Sequence, residues 1–150
     1  MVEIVSGDLF EADVDAITNA VNCVGAMGRG IALAFKQRFP DNFVAYKQAC
    51  DAGSLRPGSV LVFDRGESER PRYIVNFPTK DHWRNSSKLA DIEAGLQALT
   101  HEIDRLRIRS VALPALGCGL GGLEWETVRN AIETTFRGKS AVQVSLYSPI

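Results

Sequence analysis

Asp15-Ala16-Ile17-Thr18-Asn19-Ala20-Val21-Asn22-Cys23-Val24-Gly25-Ala26-Met27-Gly28-Arg29-Gly30-Ile31-Ala32 leads from an apolar run through a glycine-rich turn into an amphipathic run. Asp15 to Val21 reads as a buried strand. Arg29 to Phe39 reads as a helix, with Ile31, Phe35 and Phe39 spaced by four on one face. The turn between them, Gly25 to Gly30, has a counterpart late in the chain. There Val111 to Leu116 reads as a strand, Gly117-Cys118-Gly119-Leu120-Gly121-Gly122 follows, and a helix begins near Glu124. A strand, a glycine loop and a helix N-terminus together offer free backbone N–H groups and the positive end of a helix dipole. One such unit suits a phosphate, and two in a small domain suit a diphosphate held from both sides. A single glycine usually serves a turn or cap. Three within residues 25–30 and four within residues 117–122 favour a ligand that needs close backbone approach.

Around these loops the chain alternates. Val2 to Val5 is a short strand ending at Ser6-Gly7-Asp8. Pro40 ends the first helix, and Asp41 caps a second one reaching about Ala52, with Phe43 and Tyr46 toward the core. Val60 to Phe63 and Tyr73 to Phe77 read as strands, and the short charged connection between them predicts an antiparallel pair. Thr79 to Ser87 is polar and irregular. Leu89, Ile92, Leu96, Leu99, Ile103 and Leu106 then step by three and four, with Ser86 or Ser87 as the expected cap. Trp125, Val128, Ile132 and Phe136 point inward from the last helix, and Ala141 to Tyr147 is the final strand. The pattern predicts a single α/β domain over residues 1–150, with a mainly parallel mixed sheet between helical layers.

Composition narrows the partners. At 45% hydrophobic and 23% charged the chain is ordinary for a globular domain of 150 residues. A net charge of −1 gives no global basic field, so a polyanion would have to meet a local patch. The three cysteines, Cys23, Cys50 and Cys118, form no CxxC and have no histidine at metal spacing. They argue against a disulfide framework or a metal site and fit a reducing compartment. With no basic leader and no run of transmembrane length, the expectation is a cytoplasmic protein without a membrane partner. Gly117, Gly119 and Gly122 fit GxGxxG, but they follow the penultimate strand. No acidic residue closes Ala141 to Tyr147 to hold a ribose, which excludes a Rossmann site. No GxxxxGK[ST] occurs, which excludes a P-loop.

Asp8, just after the first strand, suits either a base amino group or a turn cap. Asn19 and Asn22 flank the end of the second strand, where amides can read sugar hydroxyls or serve a turn. Gly7-Asp8-Leu9, Asp15 to Asn22, Gly28-Arg29-Gly30-Ile31-Ala32 and Ala112-Leu113-Pro114-Ala115-Leu116-Gly117-Cys118-Gly119, in that order, resemble the macrodomain family over essentially the whole chain. The resemblance implies a three-layer α/β/α macrodomain with a six-stranded mixed sheet, and an ADP-ribose pocket at the sheet's C-terminal edge. In that pocket Asp8 binds the adenine amino group, with Leu9 beside the ring and Tyr147 near it. Asn22, with Asn19 and Ala20 of the same motif, meets the distal ribose. Met27, Gly28, Gly30 and Ile31 grip the diphosphate from one side, and Gly117, Cys118, Gly119, Leu120 and Gly121 from the other. Cys118 is expected to contribute its backbone N–H alone.

Asn76-Phe77-Pro78-Thr79-Lys80-Asp81-His82-Trp83-Arg84 is similar to the macrodomains of DarG-type antitoxins. Those belong to a branch of ADP-ribose glycohydrolases with a catalytic lysine at the position of Lys80. They remove ADP-ribose that a DarT-type toxin has attached to thymine in single-stranded DNA. The resemblance therefore implies Lys80 as the catalytic residue and Thr79 as pocket lining. Residues 1–150 would be the first part of a longer antitoxin or a domain on its own. Related protein-directed hydrolases carry an aspartate just after Gly-Cys-Gly-Leu, where this chain has Gly121, so no lysine–aspartate pair is available there. A neutral Lys80 would be a nucleophile toward the anomeric carbon, and a charged one would stabilise the departing base. Arg84 is a candidate neighbour for it. His82, Trp83 and Arg84 suit an unpaired base and its phosphates or an ordinary surface loop, with Lys88 and the Arg65–Arg72 connection as extensions of that patch. The competing readings are a non-catalytic ADP-ribose-binding module and a hydrolase of ADP-ribosylated protein.

Overall fold

The computed structural model describes residues 1–149. Its elements are β1 (Val2–Val5), β2 (Ala16–Val21), α1 (Gly30–Arg38), α2 (Pro40–Asp51), β3 (Leu61–Asp64), β4 (Tyr73–Pro78), α3 (Leu89–Leu106), β5 (Ser110–Leu113), α4 (Trp125–Phe136) and β6 (Gln143–Tyr147). The strands form one sheet in the order β1-β6-β5-β2-β4-β3. All pairs are parallel except β3 with β4, so the sheet is mixed as expected.

Successive strand residues point to opposite faces, and each face carries its own core. On one side α3 and α4 lay Ile92, Leu96, Leu99, Ile103, Val128, Ile132 and Phe136 against Val75, Phe77, Val111, Leu113, Val144 and Leu146. On the other side Phe35 of α1 joins Ile17, Ile74 and Ala112, and Tyr46 of α2 joins Val21 and Met27. Gly95 sets how closely α3 approaches β4. A Cβ there would stand 2.5 Å from Phe77 Cζ, so only glycine admits the ring at this depth. No helix is long and apolar enough to cross a membrane among the described residues.

Several boundaries differ from the sequence expectation. The first helix ends just before Pro40, as expected, but Pro40 also opens α2 at the first helical turn, where its missing N–H is no loss. The break between α1 and α2 is Phe39 alone, and Asp41 lies inside the first turn instead of capping it. Neither Ser86 nor Ser87 caps α3, whose N-cap is Lys88 with no side-chain hydrogen bond. The strand expected through Leu116 stops at Leu113, before Pro114, and the last strand begins at Gln143 after a turn from Lys139 to Val142.

The opposite, N-terminal edge of the sheet is fastened by Asp15. Its carboxylate accepts from Arg70 Nη1 at 2.7 Å and from the Arg109 N–H at 2.8 Å, and its own N–H donates to Ser110 Oγ at 2.8 Å. Burial pushes this carboxyl up, but the Arg109 N–H and the Arg70 guanidinium outweigh it and hold it below its unfolded value of 3.8. The stabilisation is therefore complete above pH 3.8 and is lost as pH falls through the lower, folded value. Asp15→Asn is expected to destabilise the protein by about 1 kcal/mol at neutral pH and to flatten the acid limb of its stability curve, read by urea unfolding from pH 7 downward. Gly95→Ala, although favourable to an isolated helix, is expected to cost about 2 kcal/mol in the same assay because the added methyl meets Phe77.

Candidate active site

The sheet order places a topological switch between β5 and β2. The chain leaves β2 through α1 and α2 on one face and leaves β5 through α4 on the other. At the carboxyl ends of neighbouring parallel strands such a divergence opens a crevice. Here the crevice is a cleft of about 600 Å³, of the size that holds a nucleotide-like ligand. Both glycine loops line it, with Ala20, Asn22, Gly28, Gly30 and Ile31 on one side and Gly117, Gly119, Leu120 and Gly121 on the other. Thr79, Lys80 and Trp83 close a third side. Arg29, Ala26, Pro114, Ala115 and Pro149 also line the cleft and were missed in the sequence. A cation directly before the first glycine-led helix was the available signal for Arg29.

Backbone donors converge there. The N–H groups of Gly28 to Ala32 and of Gly119 to Gly121 have no partner among the described residues. Those of Gly30 to Ala32 are the first of α1, which has no side-chain cap. The glycines divide into two kinds. Gly30 at φ +55° and Gly117 at φ +75° hold backbone that other residues rarely adopt. At Gly28 and Gly119 the backbone makes no such demand, and an added Cβ would meet no protein atom within 4 Å. Their lack of a side chain is useful only to something entering the cleft. Gly121 is different again. A Cβ there would stand 2.3 Å from Ser87 Oγ and 2.5 Å from the Gly117 carbonyl oxygen, so the volume an aspartate would need is already filled.

The segment carrying Lys80 is a strap tied to both loops. At its start the Thr79 N–H donates to Val21 O and the Cys23 N–H to Asp81 O, each at 2.9 Å. At its end the Ser87 N–H donates to Gly121 O at 2.9 Å. Thr79 is buried and Lys80 half-buried, and Lys80 forms no ion pair among the described residues. Trp83 stands at the rim, 46% exposed, with the Arg84 guanidinium 4.7 Å above its ring and His82 5.0 Å away. Leu120, 70% exposed, stands on the glycine-loop side of the same mouth.

Other expected residues fall elsewhere. Asn19 is fully buried and donates to Met27 Sδ at 3.7 Å, so this pair lies behind the wall of the cleft. The Cys118 N–H is not available to a ligand, because it closes a turn onto Ala115 O at 3.1 Å, and burial pushes its thiol up. Asp8 caps the turn Leu9–Glu11 through the Phe10 N–H at 2.9 Å and has Arg38 at 4.0 Å. Tyr147 packs with Leu9, Phe10 and Ile31 in one cluster, and Ile31 carries that cluster to the cleft wall. The Arg65–Arg72 connection does not extend the patch around Trp83. It lies at the other end of β4, about 20 Å from Lys80, and its arginines pair with Glu69, Asp13, Asp15 and Asp64. No three His, Cys, Asp or Glu side chains are grouped to hold a metal among the described residues. A second hollow, between α3 and α4, is lined by Glu93, Gln97, Thr127 and Asn130 and shares nothing with the loops.

A sequence profile of the Macro domain matches residues 18–132. The chain is 48% identical over 150 residues to the DNA ADP-ribosyl glycohydrolase of Thermus aquaticus, covering all of this chain and 42% of that protein. It thus spans less than half the length of that curated relative. The solved macrodomain of Mycobacterium tuberculosis DarG superposes with a TM-score of 0.97 at 49% identity, over 100% of this chain and 99% of that one. Thermosipho africanus DarTG in complex with ADP-ribose superposes with a TM-score of 0.91 at 36% identity, over 99% of this chain and 42% of that one.

The two kinds of glycine predict opposite stability results. Gly121→Ala is expected to lower unfolding free energy by about 2 kcal/mol, because the Gly117 carbonyl oxygen at 2.5 Å and Ser87 Cβ at 2.9 Å cannot rotate away from the added methyl. Gly119→Ala is expected to stay within about 0.5 kcal/mol of the unsubstituted protein in the same urea titration.

Proposed function

The chain belongs to the macrodomain family, and from that premise we propose that it is an ADP-ribosyl glycohydrolase that removes ADP-ribose from thymidine in single-stranded DNA, reversing a toxin's modification. One observation carries this reading: Lys80 lines the same cleft as both glycine loops. Identity spread over the whole chain to a protein named DNA ADP-ribosyl glycohydrolase supports it. ADP-ribose bound to the similar Thermosipho africanus protein supports the choice of ligand.

In this reading the diphosphate lies between the N–H groups of Gly28 to Ala32 and those of Gly119 to Gly121. The adenine extends past Ile31 and Pro149 toward Leu9, Asp8 and Tyr147. The distal ribose lies by Asn22 and Lys80, with Thr79 beneath. The bond to be broken joins the anomeric carbon to a thymine nitrogen, and charge develops positive on the sugar and negative on the base. Lys80 acts on that bond as an amine nucleophile or as a cation beside the departing base. With Ser87 and the Gly117 carbonyl filling the space beside Gly121, no carboxylate assists it from that position, which weighs against a glutamate-linked protein substrate. The base emerges between Trp83 and Leu120, where an exposed aromatic suits an unpaired base and Arg84 and His82 meet its flanking phosphates. A DarT-type toxin is the implied partner, and the cytoplasm the implied compartment.

Incubation with a thymine-ADP-ribosylated single-stranded oligonucleotide is expected to restore its unmodified mobility. Lys80→Ala is expected to slow that release at least about 100-fold while ADP-ribose affinity changes little. Borohydride trapping separates the two roles of Lys80, since only a nucleophilic amine leaves ADP-ribose bonded to Lys80 by mass. ADP-ribose binding without release from any substrate would make the chain a binding module. Release from modified protein but not from DNA would make it a protein hydrolase.

A further inference from the structure

Asn22 is the one side-chain amide on the cleft wall, and its hydrogen bonds are mostly spent inside the protein. Its Oδ1 accepts from the Tyr46 hydroxyl at 2.7 Å and from the backbone N–H groups of Val24 at 3.1 Å and Ala26 at 3.4 Å. Its Nδ2 donates to Ala26 O at 2.9 Å. A primary amide has two acceptor sites and two N–H groups. The oxygen edge is thus saturated, and one N–H is left for the cleft. Tyr46 sits on α2, fully buried and outside the cleft, and its hydroxyl also lies 2.8 Å from Asn22 O. Burial raises its phenol, which keeps it a donor at every working pH. Together with the Val24 and Ala26 N–H groups the hydroxyl fixes the amide's orientation, because the flipped amide would set Nδ2 against backbone donors and Oδ1 against Ala26 O.

We infer that Tyr46 is a positioning residue, which makes the shortest of the hydrogen bonds that hold Asn22 so that it presents an N–H to an oxygen of the ligand's ribose. The inference rests on the ADP-ribose reading above and adds to it the sense of the hydrogen bond and the residue that imposes it. Tyr46→Phe removes only the hydroxyl. The amide keeps its backbone partners but loses its shortest hydrogen bond, so its plane rocks and the cleft-facing N–H leaves the line to the ribose oxygen in part of the population.

A double-mutant cycle on ADP-ribose affinity, measured by calorimetry, tests this. Tyr46→Phe is expected to weaken binding about tenfold, and Asn22→Ala at least as much. The double variant is expected to bind like Asn22→Ala, since the side chain through which Tyr46 reaches the cleft is then absent. In the ligand-free protein the Asn22 side-chain amide protons are expected to shift and broaden in Tyr46→Phe, seen by NMR. Tyr46→Phe within twofold of the parent, or additive losses in the double variant, would each overturn the inference. So would unchanged Asn22 amide resonances, and this readout needs no ligand. If the parent protein binds no ADP-ribose, the proposed function falls, while the NMR comparison still decides whether Tyr46 fixes the amide.

Discussion

The parallel pairing of β2 with β4 on one side and β5 on the other is the constraint on which the rest of the structure depends. Parallel neighbours bring their carboxyl ends to one edge, so the segments that follow Val21, Pro78 and Leu113 must meet there. The helices after β2 and after β5 then depart to opposite faces, and no side chain is left to fill the space between them. The cleft is a product of connectivity before it is a product of any single residue. Distance in sequence, nearly a hundred residues between the glycine loops, is removed by strand order.

Within that crevice the backbone of both glycine loops supplies a row of N–H groups without partners among the described residues. A cleft lined by N–H groups suits an anion without needing net positive charge, which reconciles a chain of charge −1 with the proposed diphosphate ligand. The strap from Thr79 to Ser87 adds the one lysine. It is tied beside the first loop through Val21 and Cys23 and to the second through Gly121, so the segment that carries Lys80 is held in place relative to both. The glycines serve this in three ways: Gly30 and Gly117 by backbone conformation, Gly28 and Gly119 by leaving the cleft open, and Gly121 by making room for Ser87.

The layers and the helix faces were legible because burial follows local periodicity. Ile92, Leu96, Leu99 and Ile103 recur at helical spacing and all reach the core. Element ends were less legible. Pro40 follows the end of α1 and itself opens α2, where the local pattern favoured Asp41 as the cap. Asn19 and Asn22, three residues apart in one motif, looked alike as sugar-reading amides. Strand alternation and the end of β2 separate them, leaving Asn19 in the core beside Met27 and Asn22 at the rim under Tyr46. The arginines between Arg65 and Arg72 looked like part of a nucleic-acid patch because they are close in sequence to Lys80. A whole strand lies between, and their partners are the carboxylates at the other edge.

The sequence by itself determined the alternation of strands and helices, the two glycine loops that follow strands, and, through its motifs, the macrodomain family and the segment holding Lys80. These are properties of neighbouring residues, set by side-chain periodicity, backbone freedom and the free donors of a helix end. Only the tertiary structure decided which N–H groups remain unpaired, which glycine faces the cleft and which faces Ser87, and which edge of Asn22 is available. Those outcomes depend on partners 24 to 34 residues away, Tyr46 for Asn22 and Ser87 for Gly121. A hydrogen bond already made within the protein cannot be offered to a ligand, and no local pattern records which bonds those are.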